Sequence, residues 1–453
     1  MFAGIVLAGG IGVRMKSGFP KLFHRLLGKP IIKYVLENIS ALNLERVIVV
    51  VPPSLEEDFR KIGGDSFFYI IQETPLGTGD AVKRALPEIE DSENVLVVNG
   101  DAPLISEEIL ERLINSHIGD KSSATLLTTV LHKAKEYGRV IKDSSGKVLR
   151  IVEAKDASLE EREIREVNTG AYCFSVEDLT LALTRLSNEN AQKEYYLTQL
   201  VEILNSMGKS VKAYPTDLGS LALGINSRKD LAEATRSLLS RKIEQLMEDG
   251  VTIILPEATY IGPDVKIGKD TVIEPYCILK GNTVIGNNCC IGPSTYLDDA
   301  NIGDNCEVFY SVIKSSTVES NVKVGPYSQI RNGTIIKSEA AIGNFVEVKN
   351  SIIGSHTKAM HHSYLGDAEI GERVNIGAGV ITCNYDGKKK HKTIIEDDAF
   401  IGSNSNLIAP IKIGRGAVTG AGAVVTKDVE PNTVVVGVPA RFLKKKEEGG
   451  KGE

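Results

Sequence analysis

The sequence contains no tryptophan, and aromatic residues make up only 6% of its 453 positions. Its six cysteines include no Cys-x-x-Cys pair, so their spacing favours neither a zinc site nor a disulfide framework. No apolar run approaches the roughly 20 residues that a membrane-spanning helix needs, and the N-terminus lacks the zones of a signal peptide. We therefore expect a cytoplasmic protein without a membrane span.

The charge balance also excludes several classes of partner. Fifty-three basic residues and fifty-nine acidic residues leave a net charge of -6, which gives no general attraction to nucleic acids or anionic membranes. We therefore expect no nucleic-acid partner, and any phosphate ligand must be bound by local groups. The length exceeds what one hydrophobic core usually supports, which predicts two or three domains.

The C-terminal half has a six-residue repeat. From about Ile261 onward an aliphatic residue recurs every six positions, often followed by glycine, as at Ile267, Ile285 and Ile291. A second column, four residues after each aliphatic residue, holds small or short-branched residues: Val265, Thr271, Cys277, Thr283, Cys289, Thr295, Ser328, Thr334, Ala340 and Val346. One large and one small inward position per unit predict a parallel β-helix, in which Cys277 and Cys289 are core residues.

The repeat has two apparent breaks. A polar, histidine-containing stretch covers 356–363, and a loop is inserted at 382–392. Insertions between coils are where repeat proteins usually carry their functional residues. The lysine- and glycine-rich tail that begins at Lys444 predicts a frayed end.

The N-terminal half has a different pattern. Apolar segments at 3–8, 47–51, 67–71 and 95–98 alternate with helical patterns at 30–42, 79–86 and 107–116. This alternation predicts a doubly wound α/β domain with a mostly parallel sheet. Helix formers without Pro or Gly fill 227–249, so we expect a domain at 1–226, a linker helix at 227–250 and a β-helix domain at 251–453.

A glycine-rich loop follows the first predicted strand. Gly9, Gly10 and Gly12 would let the main chain approach a nucleotide, and Arg14 and Lys21 could counter phosphate charge. The spacing matches neither the Rossmann fingerprint nor the P-loop, which disfavours hydride chemistry. A structural turn is the alternative interpretation of this loop.

Polar residues follow two other predicted strands. Gln72 and Asp101 each lie at a strand end, where open α/β sheets bind ligands. Asp101 either caps the next helix or binds Mg²⁺, which prefers one or two protein oxygens together with phosphates and water.

In the repeat, Arg331 and Lys349 are eighteen residues apart, which is one full coil of three strands. We expect them to stack on one face, either as a phosphate clamp or as solvated surface charge. His361 lies in the first apparent break, and an exposed loop histidine is more often neither a base nor a ligand.

The motifs resemble known enzymes. Leu-Ala-Gly-Gly-x-Gly-x-Arg-Met, Leu-Gly-Thr-Gly, Gly-Asp-x-Pro-Leu, Tyr-Gly-Arg, Glu-Val-Asn-Thr-Gly and Gly-Ile-Asn resemble the sugar-phosphate nucleotidylyltransferases. With the hexapeptide half, nearly the whole chain is similar to the family of bifunctional N-acetylglucosamine-1-phosphate uridylyltransferases and glucosamine-1-phosphate acetyltransferases. The resemblance implies a Rossmann-like domain, a left-handed β-helix and a homotrimer that makes UDP-N-acetylglucosamine for cell-wall synthesis.

For the first half the resemblance implies UTP and N-acetylglucosamine-1-phosphate as substrates and Mg²⁺ as cofactor, bound by Asp101 and Asn226. The nucleotide- and sugar-binding residues that it implies are Leu7, Ala8, Gly9, Gly10, Arg14, Lys21, Gln72, Gly77, Thr78, Asn99, Gly138, Glu153 and Asn168.

For the second half it implies glucosamine-1-phosphate and acetyl-CoA as substrates, with His361 as the general base, oriented by Glu347. The sugar-phosphate residues that it implies are Arg331, Lys349, Tyr364 and Asn375, and the acetyl-CoA residues are Ala378, Asn384, Tyr385, Ser403 and Ala421. Lys390 matches a residue that reaches a neighbouring subunit's site.

Three departures from the family pattern concern ligand loops. Ile11 and Val13 replace Lys and Thr, Asn99 replaces Tyr, and Gly437 replaces an Arg for which Arg441 could substitute. The first two changes suggest a broader choice of nucleotide or sugar, and the third suggests weaker CoA binding. The alternatives are a monofunctional sugar nucleotidylyltransferase with a structural β-helix, and a catalytically silent scaffold. The set of His361, Tyr364 and Asn384 argues against the former, and Arg14, Lys21, Asp101 and Asn226 argue against the latter.

Overall fold

The computed structural model describes residues 2–10, 12–134 and 136–446. The chain forms two compact units, the first ending at Arg236 and the second beginning at Ser237. Within the described ranges, no helix has the length and apolar character needed to cross a membrane. Ile11 of the glycine-rich loop and the tail from Glu447 onward lie outside the described residues.

The first unit is built on a mixed sheet. Its strands in chain order are β1 (Phe2–Leu7), β2 (Arg25–Leu26), β3 (Lys29–Pro30), β4 (Arg46–Val51), β5 (Phe68–Ile71), β6 (Asn94–Asn99), β7 (Ala124–Val130), β8 (Arg139–Lys142), β9 (Val148–Val152), β10 (Glu166–Ser175) and β11 (Val211–Thr216). The sheet order is β11-β7-β10-β6-β1-β4-β5, with the β8-β9 hairpin attached to β10, while β2 and β3 form a separate hairpin. β6, β1, β4 and β5 are parallel, whereas β10 runs antiparallel to both of its neighbours.

Helices cover this sheet. They are α1 (Ile31–Ser40), α2 (Glu56–Gly63), α3 (Thr78–Ala85), α4 (Glu107–Asp120), α5 (Leu159–Arg162), α6 (Val176–Leu183) and α7 (Gln199–Ser206), whereas α8 (Arg228–Glu248) begins in the first unit and ends in the second. Ile5 and Val50 lie on a sheet face that packs against α3, α6 and α7. Gly4 lies on the opposite face, where an added Cβ would contact Ile39 of α1, so the sheet is covered on both sides as predicted.

The second unit consists of short strands stacked in coils, consistent with a left-handed β-helix. One twelve-stranded sheet contains Thr252–Ile253, Val272–Ile273, Cys290–Ile291, Glu307–Val308, Lys323–Val324, Ala341–Asn344, Lys358–His361, Asn375–Ile376, Phe400–Ile401, Val418–Thr419, Thr433–Val436 and Arg441–Lys445. A seventeen-stranded sheet contains Tyr260–Ile261, Lys266–Ile267, Ile278–Lys280, Val284–Ile285, Tyr296–Ile302, Val312–Val318, Gln329–Arg331, Ile335–Ile336, Glu347–Lys349, Ile352–Ile353, Tyr364–Gly366, Ala368–Ile370, Ile381–Cys383, Thr393–Ile395, Asn406–Ile408, Ile411–Ile413 and Val424–Val425.

Both predicted columns face the interior of the coils. Ile330, Ile342 and Val348 of the aliphatic column are at most 1% exposed, and the small column is buried from Val265 to Val346. Cys277 and Cys289 are buried free thiols, as expected for core residues. Each inward side chain packs on its counterpart in the next coil, so the core is continuous along the stack.

The repeated Ile-Gly pairs are explained by close contact between coils. A Cβ at Gly268 would lie 2.6 Å from the carbonyl carbon of Gly286 in the next coil, which is too close for any other residue. Many corners are instead formed by Asn or Asp with positive φ, such as Asn288 and Asn305. These side chains tolerate the left-handed conformation better than most others.

Two expectations about this unit are wrong. The coil is not interrupted at 356–363, because Ala359 takes the buried aliphatic position and pairs with Ile342 and Ile376. The tail is not frayed at its start, since Arg441–Lys445 pairs antiparallel with Thr433–Val436. The predicted insertion is present but begins two residues later, at Asn384, because Thr382 and Cys383 belong to strand Ile381–Cys383 and pair with the next coil. It ends before strand Thr393–Ile395.

The coil core should be sensitive to lost volume. We expect Ile330→Ala to destabilise the chain by about 2 to 5 kcal/mol, because the fully buried side chain leaves a cavity between coils that cannot collapse. The midpoint of thermal unfolding, followed by circular dichroism, measures this loss. Ile352→Ala is the matched control, since Ile352 is 39% exposed and its removal should shift the midpoint much less. Equal shifts would contradict the buried position of Ile330.

Candidate active sites

The parallel strands of the first unit end at a cavity of about 450 Å³. Leu7 ends β1, Asn99 ends β6 in register with it, and Gln72 follows β5. Predicted residues that line the cavity are Leu7, Gly9, Gly10, Arg14, Lys21, Gln72, Gly77, Thr78, Asn99, Asp101 and Asn226. Ala8 is buried beside them, where its amide donates to the Val50 carbonyl.

Close main-chain approach shapes this cavity. A Cβ at Gly9 would lie 2.7 Å from Oε1 of Gln72, so a larger residue there would displace the Gln72 amide. Gln72 is 5% exposed, and its Nε2 donates to the Gly77 carbonyl at 3.1 Å and to Asp80 Oδ2 at 2.8 Å. These hydrogen bonds hold the side-chain amide of Gln72 against the N-terminus of α3.

A buried ion pair lies at the floor of the cavity. Lys21 Nζ is 2.5 Å from Asp101 Oδ2 and donates to Asn226 Oδ1 at 3.2 Å. Asp101 Oδ1 is also buried and has no hydrogen-bond partner in the described part of the chain. A buried, unpaired carboxylate oxygen is unfavourable unless a ligand satisfies it.

The ion-pair residues fit a hard cation. In the described ranges no cluster of three or more His, Cys, Asp or Glu side chains could hold a metal. Mg²⁺ does not need one, because it binds through one or two protein oxygens and takes its other ligands from phosphates and water. The free Oδ1 of Asp101 and the Oδ1 of Asn226 provide oxygens of this kind.

A second cavity of about 950 Å³ shares Gly10, Gly12, Arg14, Lys21 and Asn226 with the first, so the two are continuous. Glu153 lines the second cavity and accepts a hydrogen bond from Thr198 Oγ1 at 3.0 Å. Burial raises the pKa of Glu153, and Asp156 and Glu194 act in the same direction.

Gly138 and Asn168 line neither cavity, but they lie behind Glu153. The Asn168 amide donates to the Gly138 carbonyl at 2.9 Å, and a Cβ at Gly138 would lie 3.4 Å from Glu153 Oε1. Gly138 and Asn168 therefore support the side of the second cavity on which Glu153 lies.

Two features of this unit escaped the sequence interpretation. Glu194 lines the first cavity, and the main chain of Tyr195 packs against Gly77 and Gly79.

Arg14 lies at the cavity mouth, where its NH1 forms a 2.7 Å ion pair with Glu136, and both side chains are largely exposed. An exposed pair of this kind is weak and can open when a phosphate binds.

In the second unit, register aligns the predicted cations. Arg331 pairs in register with Lys349, which pairs with Gly366, and Glu347 pairs with Tyr364 on the same face. Arg331 Nε donates to Glu347 Oε1 at 3.1 Å. The stacked pair predicted from the eighteen-residue spacing is therefore present.

His361 and Tyr364 lie on either side of one corner, because His362 between them has a φ of 39°. The predicted orienting contact with Glu347 is not made, since Glu347 binds Arg331. The Nδ1 of His361 is instead 2.9 Å from Oδ1 of Asn344, its neighbour in the previous coil. An amide oxygen accepts, so Nδ1 is the donor in this contact, and Nε2 takes no part in it.

The predicted acetyl-CoA residues follow the same edge of the coil stack. Ala378, Ser403 and Ala421 each immediately precede a corner residue with positive φ, as His361 and Asn344 do. Main-chain bonds connect these corners, for example from the Gly379 amide to the His362 carbonyl. Asn375 lies on the face of His361, in register with Lys358, and is not in register with Arg331 or Lys349.

The inserted loop contacts the face of the coils that carries Arg331 and Lys349. Asn384 is 6% exposed, and its Nδ2 donates to Asp367 Oδ2 at 2.5 Å and lies 3.4 Å from the Tyr364 hydroxyl. Tyr385 is 60% exposed and forms an isolated β-bridge with Lys390. The Lys390 ammonium lowers the pKa of Lys349, and burial and the Arg331 guanidinium act in the same direction. Arg331, Lys349 and Lys390 therefore form a cationic cluster.

Gly437 and Arg441 lie beyond Ala421. Gly437 has a φ of 96° and accepts a hydrogen bond from the Val424 amide, while Arg441 begins the exposed last strand.

Comparisons with known sequences agree with this division. Residues 4–175 match a family model described as the MobA-like NTP transferase domain, residues 264–299 match a bacterial transferase hexapeptide model, and residues 392–427 match a hexapeptide repeat of succinyl-transferase. The chain is 47% identical over 433 residues to Bifunctional protein GlmU from Carboxydothermus hydrogenoformans, which covers 96% of this chain and 97% of that protein. It is 45% identical to Bifunctional protein GlmU from a Geobacillus species, over 95% of this chain and 94% of the relative.

Identity at this level over nearly the full length of both chains confirms the family that the motifs predicted. The chain belongs to the family of bifunctional GlmU proteins.

Proposed function

We propose that the chain makes UDP-N-acetylglucosamine in two consecutive reactions at two separate sites. It first transfers the acetyl group of acetyl-CoA to glucosamine-1-phosphate, and it then transfers a uridylyl group from UTP to the product. The single observation that carries this proposal is that each unit holds its own set of reactive groups: Lys21, Asp101 and Asn226 in the first, and His361, Lys349 and Arg331 in the second.

In the first site, the phosphate of N-acetylglucosamine-1-phosphate attacks the α-phosphorus of UTP in line, and pyrophosphate leaves. Gly9, Gly10 and Gln72 bind the nucleotide, while Lys21 and Arg14 stabilise the spread negative charge. Leu7, Ala8, Gly77, Thr78 and Asn99 complete the nucleotide wall. Glu153, supported by Gly138 and Asn168, orients the sugar in the second cavity.

Mg²⁺ is the cofactor that we propose for this site, bound by Asp101 and Asn226. When bound, it would neutralise phosphate charge that Lys21 and Arg14 alone leave uncompensated. The orphaned Oδ1 of Asp101 supports this assignment.

In the second site, the amine of glucosamine-1-phosphate attacks the thioester carbonyl of acetyl-CoA. The N–C bond forms, the C–S bond breaks, the amine proton passes to Nε2 of His361, and the CoA thiolate leaves. Arg331, Lys349 and Lys390 bind the sugar phosphate together with Tyr364 and Asn375, and Glu347 holds Arg331 in place. Ala378, Asn384, Tyr385, Ser403 and Ala421 line the groove for acetyl-CoA.

We also propose a cytoplasmic homotrimer, in which Lys390 reaches the site of a neighbouring subunit. The family resemblance supports the trimer. In a single chain Lys390 lies beside Lys349. The trimer therefore decides whether Lys390 contacts the sugar phosphate of its own chain or that of a neighbouring subunit.

The direct test supplies the purified chain with glucosamine-1-phosphate, acetyl-CoA, UTP and Mg²⁺, and assays free CoA thiol and pyrophosphate separately. We expect both products. A parallel reaction supplies N-acetylglucosamine-1-phosphate and UTP directly. Pyrophosphate release in that reaction, without any CoA thiol from the first mixture, would favour the monofunctional alternative, and the absence of both products would favour the scaffold.

We expect His361→Ala to lower acetyl transfer by about 10² to 10⁴, equivalent to about 3 to 5 kcal/mol, because the amine loses its proton acceptor. Uridylyl transfer by the same variant should be unchanged. His362→Ala is the matched control, since His362 is the adjacent corner residue and should keep most of the acetyl transfer. Equal loss of both activities in His361→Ala would contradict separate sites.

We expect Asp101→Ala to abolish magnesium-dependent uridylyl transfer, because the variant lacks both the partner of Lys21 and the free carboxylate oxygen. Acetyl transfer should survive and reports that the chain is folded. Pyrophosphate release measured across a Mg²⁺ titration gives the result. A variant with the same metal dependence as the unaltered chain would remove Asp101 from this role.

A further inference from the structure

The segment that carries Asn226 is fixed by the first turn of helix α8. The main-chain amides of Asn226 and Ser227 both donate to Oδ2 of Asp230, at 3.0 and 2.8 Å. In return, the Asp230 amide donates to the Ser227 hydroxyl at 3.2 Å. This reciprocal arrangement is a capping box, extended by one residue so that it also holds Asn226.

Both ends of the side-chain amide of Asn226 form hydrogen bonds. Its Nδ2 donates to the Gly224 carbonyl at 3.0 Å, so Oδ1 points toward Lys21 and the carboxylate of Asp101. The Ile225 amide donates to the Asp101 carbonyl at 2.8 Å, which ties the two candidate ligands together through the main chain. A Cβ at Gly224 would collide with the Asp101 carboxylate, so the two segments lie in contact.

We propose that Asp230 is a positioning residue for the Mg²⁺ site of uridylyl transfer. It does not touch the ion, and it acts by holding the main chain at Asn226 so that Oδ1 stays beside the free oxygen of Asp101. This inference rests on the proposed function of the first site.

The physical reason is the small number of protein ligands. Mg²⁺ demands near-ideal octahedral geometry and would take only one or two oxygens from the protein. A small displacement of Asn226 would therefore remove up to half of the protein ligands of the ion. Partners that orient metal ligands typically contribute 10-fold to 100-fold to metal affinity. Among the described residues, Asp230 is the only acceptor for the main-chain amide of Asn226.

The test compares three variants of the full chain. Asp230→Ala removes the acceptor of both amides. Asp230→Asn keeps an oxygen at that position, and one oxygen suffices because Oδ2 alone accepts both bonds. Ser227→Ala removes only the return bond of the capping box, so it loosens the helix start and leaves the acceptor of the Asn226 amide in place.

Two readouts separate positioning from simple destabilisation. The first is the apparent KM for Mg²⁺ in pyrophosphate release, compared with kcat. The second is direct binding of Mn²⁺ in the presence of UDP-N-acetylglucosamine, followed by the electron paramagnetic resonance signal of the free ion. Acetyl transfer at the other site and the melting midpoint report whether each variant is folded.

We expect Asp230→Ala to raise the KM for Mg²⁺ and to weaken Mn²⁺ binding by about 10-fold to 100-fold. Asp230→Asn and Ser227→Ala should stay close to the unaltered chain in both readouts, and acetyl transfer should be unchanged in all three. Unchanged Mn²⁺ affinity in Asp230→Ala would overturn the inference, as would an equal loss in Ser227→Ala.

The failure of the proposed function gives a different result. An unaltered chain that releases no pyrophosphate at any Mg²⁺ concentration would refute uridylyl transfer. The Mn²⁺ measurement would still decide whether Asp230 holds the ion site.

Discussion

Parallel, in-register pairing of strands is the constraint on which both sites depend. In the first unit it brings the ends of β1, β4, β5 and β6 to one edge, where Leu7, Gln72 and Asn99 meet. In the second unit it places Lys349 directly above Arg331, and His361 above Asn344. A shift of one residue in either register would turn these side chains to the opposite face, so sheet pairing and site geometry are the same property.

Both candidate sites also concentrate charge. The Lys21 and Asp101 pair is removed from water, and one carboxylate oxygen remains unsatisfied. Such a pair is weak evidence for stability, because desolvation offsets the attraction between the charges. In the second unit Lys390 and Arg331 disfavour the charged form of Lys349. A phosphate placed among these three cations would reverse that effect, because an opposite charge favours protonated lysine.

Much of the architecture could be predicted because it is encoded in periodicity. The six-residue repeat predicted both inward-facing columns of the coils, and the alternating apolar segments predicted the central strands of the first unit. The two wrong predictions about the coils concern segments whose polar or basic composition hides regular structure. Ala359 keeps the coil intact within a polar stretch, since an inward position requires only an apolar side chain of suitable size. The basic tail forms a strand because antiparallel pairing with Thr433–Val436 satisfies its main chain.

The missed site residues share a different cause. Asn344 contacts His361 from the previous coil, Glu194 lines the first cavity from a distant loop, and Asp230 accepts hydrogen bonds from main-chain amides. None of these residues lies in a motif that predicts chemistry, because each contributes through a neighbour that the fold selects. The motifs identify candidate binding and catalytic groups, whereas the residues that contact and orient those groups depend on tertiary structure. Asn344 illustrates the consequence: it contacts Nδ1 of His361 from the previous coil, and spacing along the sequence could not distinguish it from Glu347 as the partner of that ring.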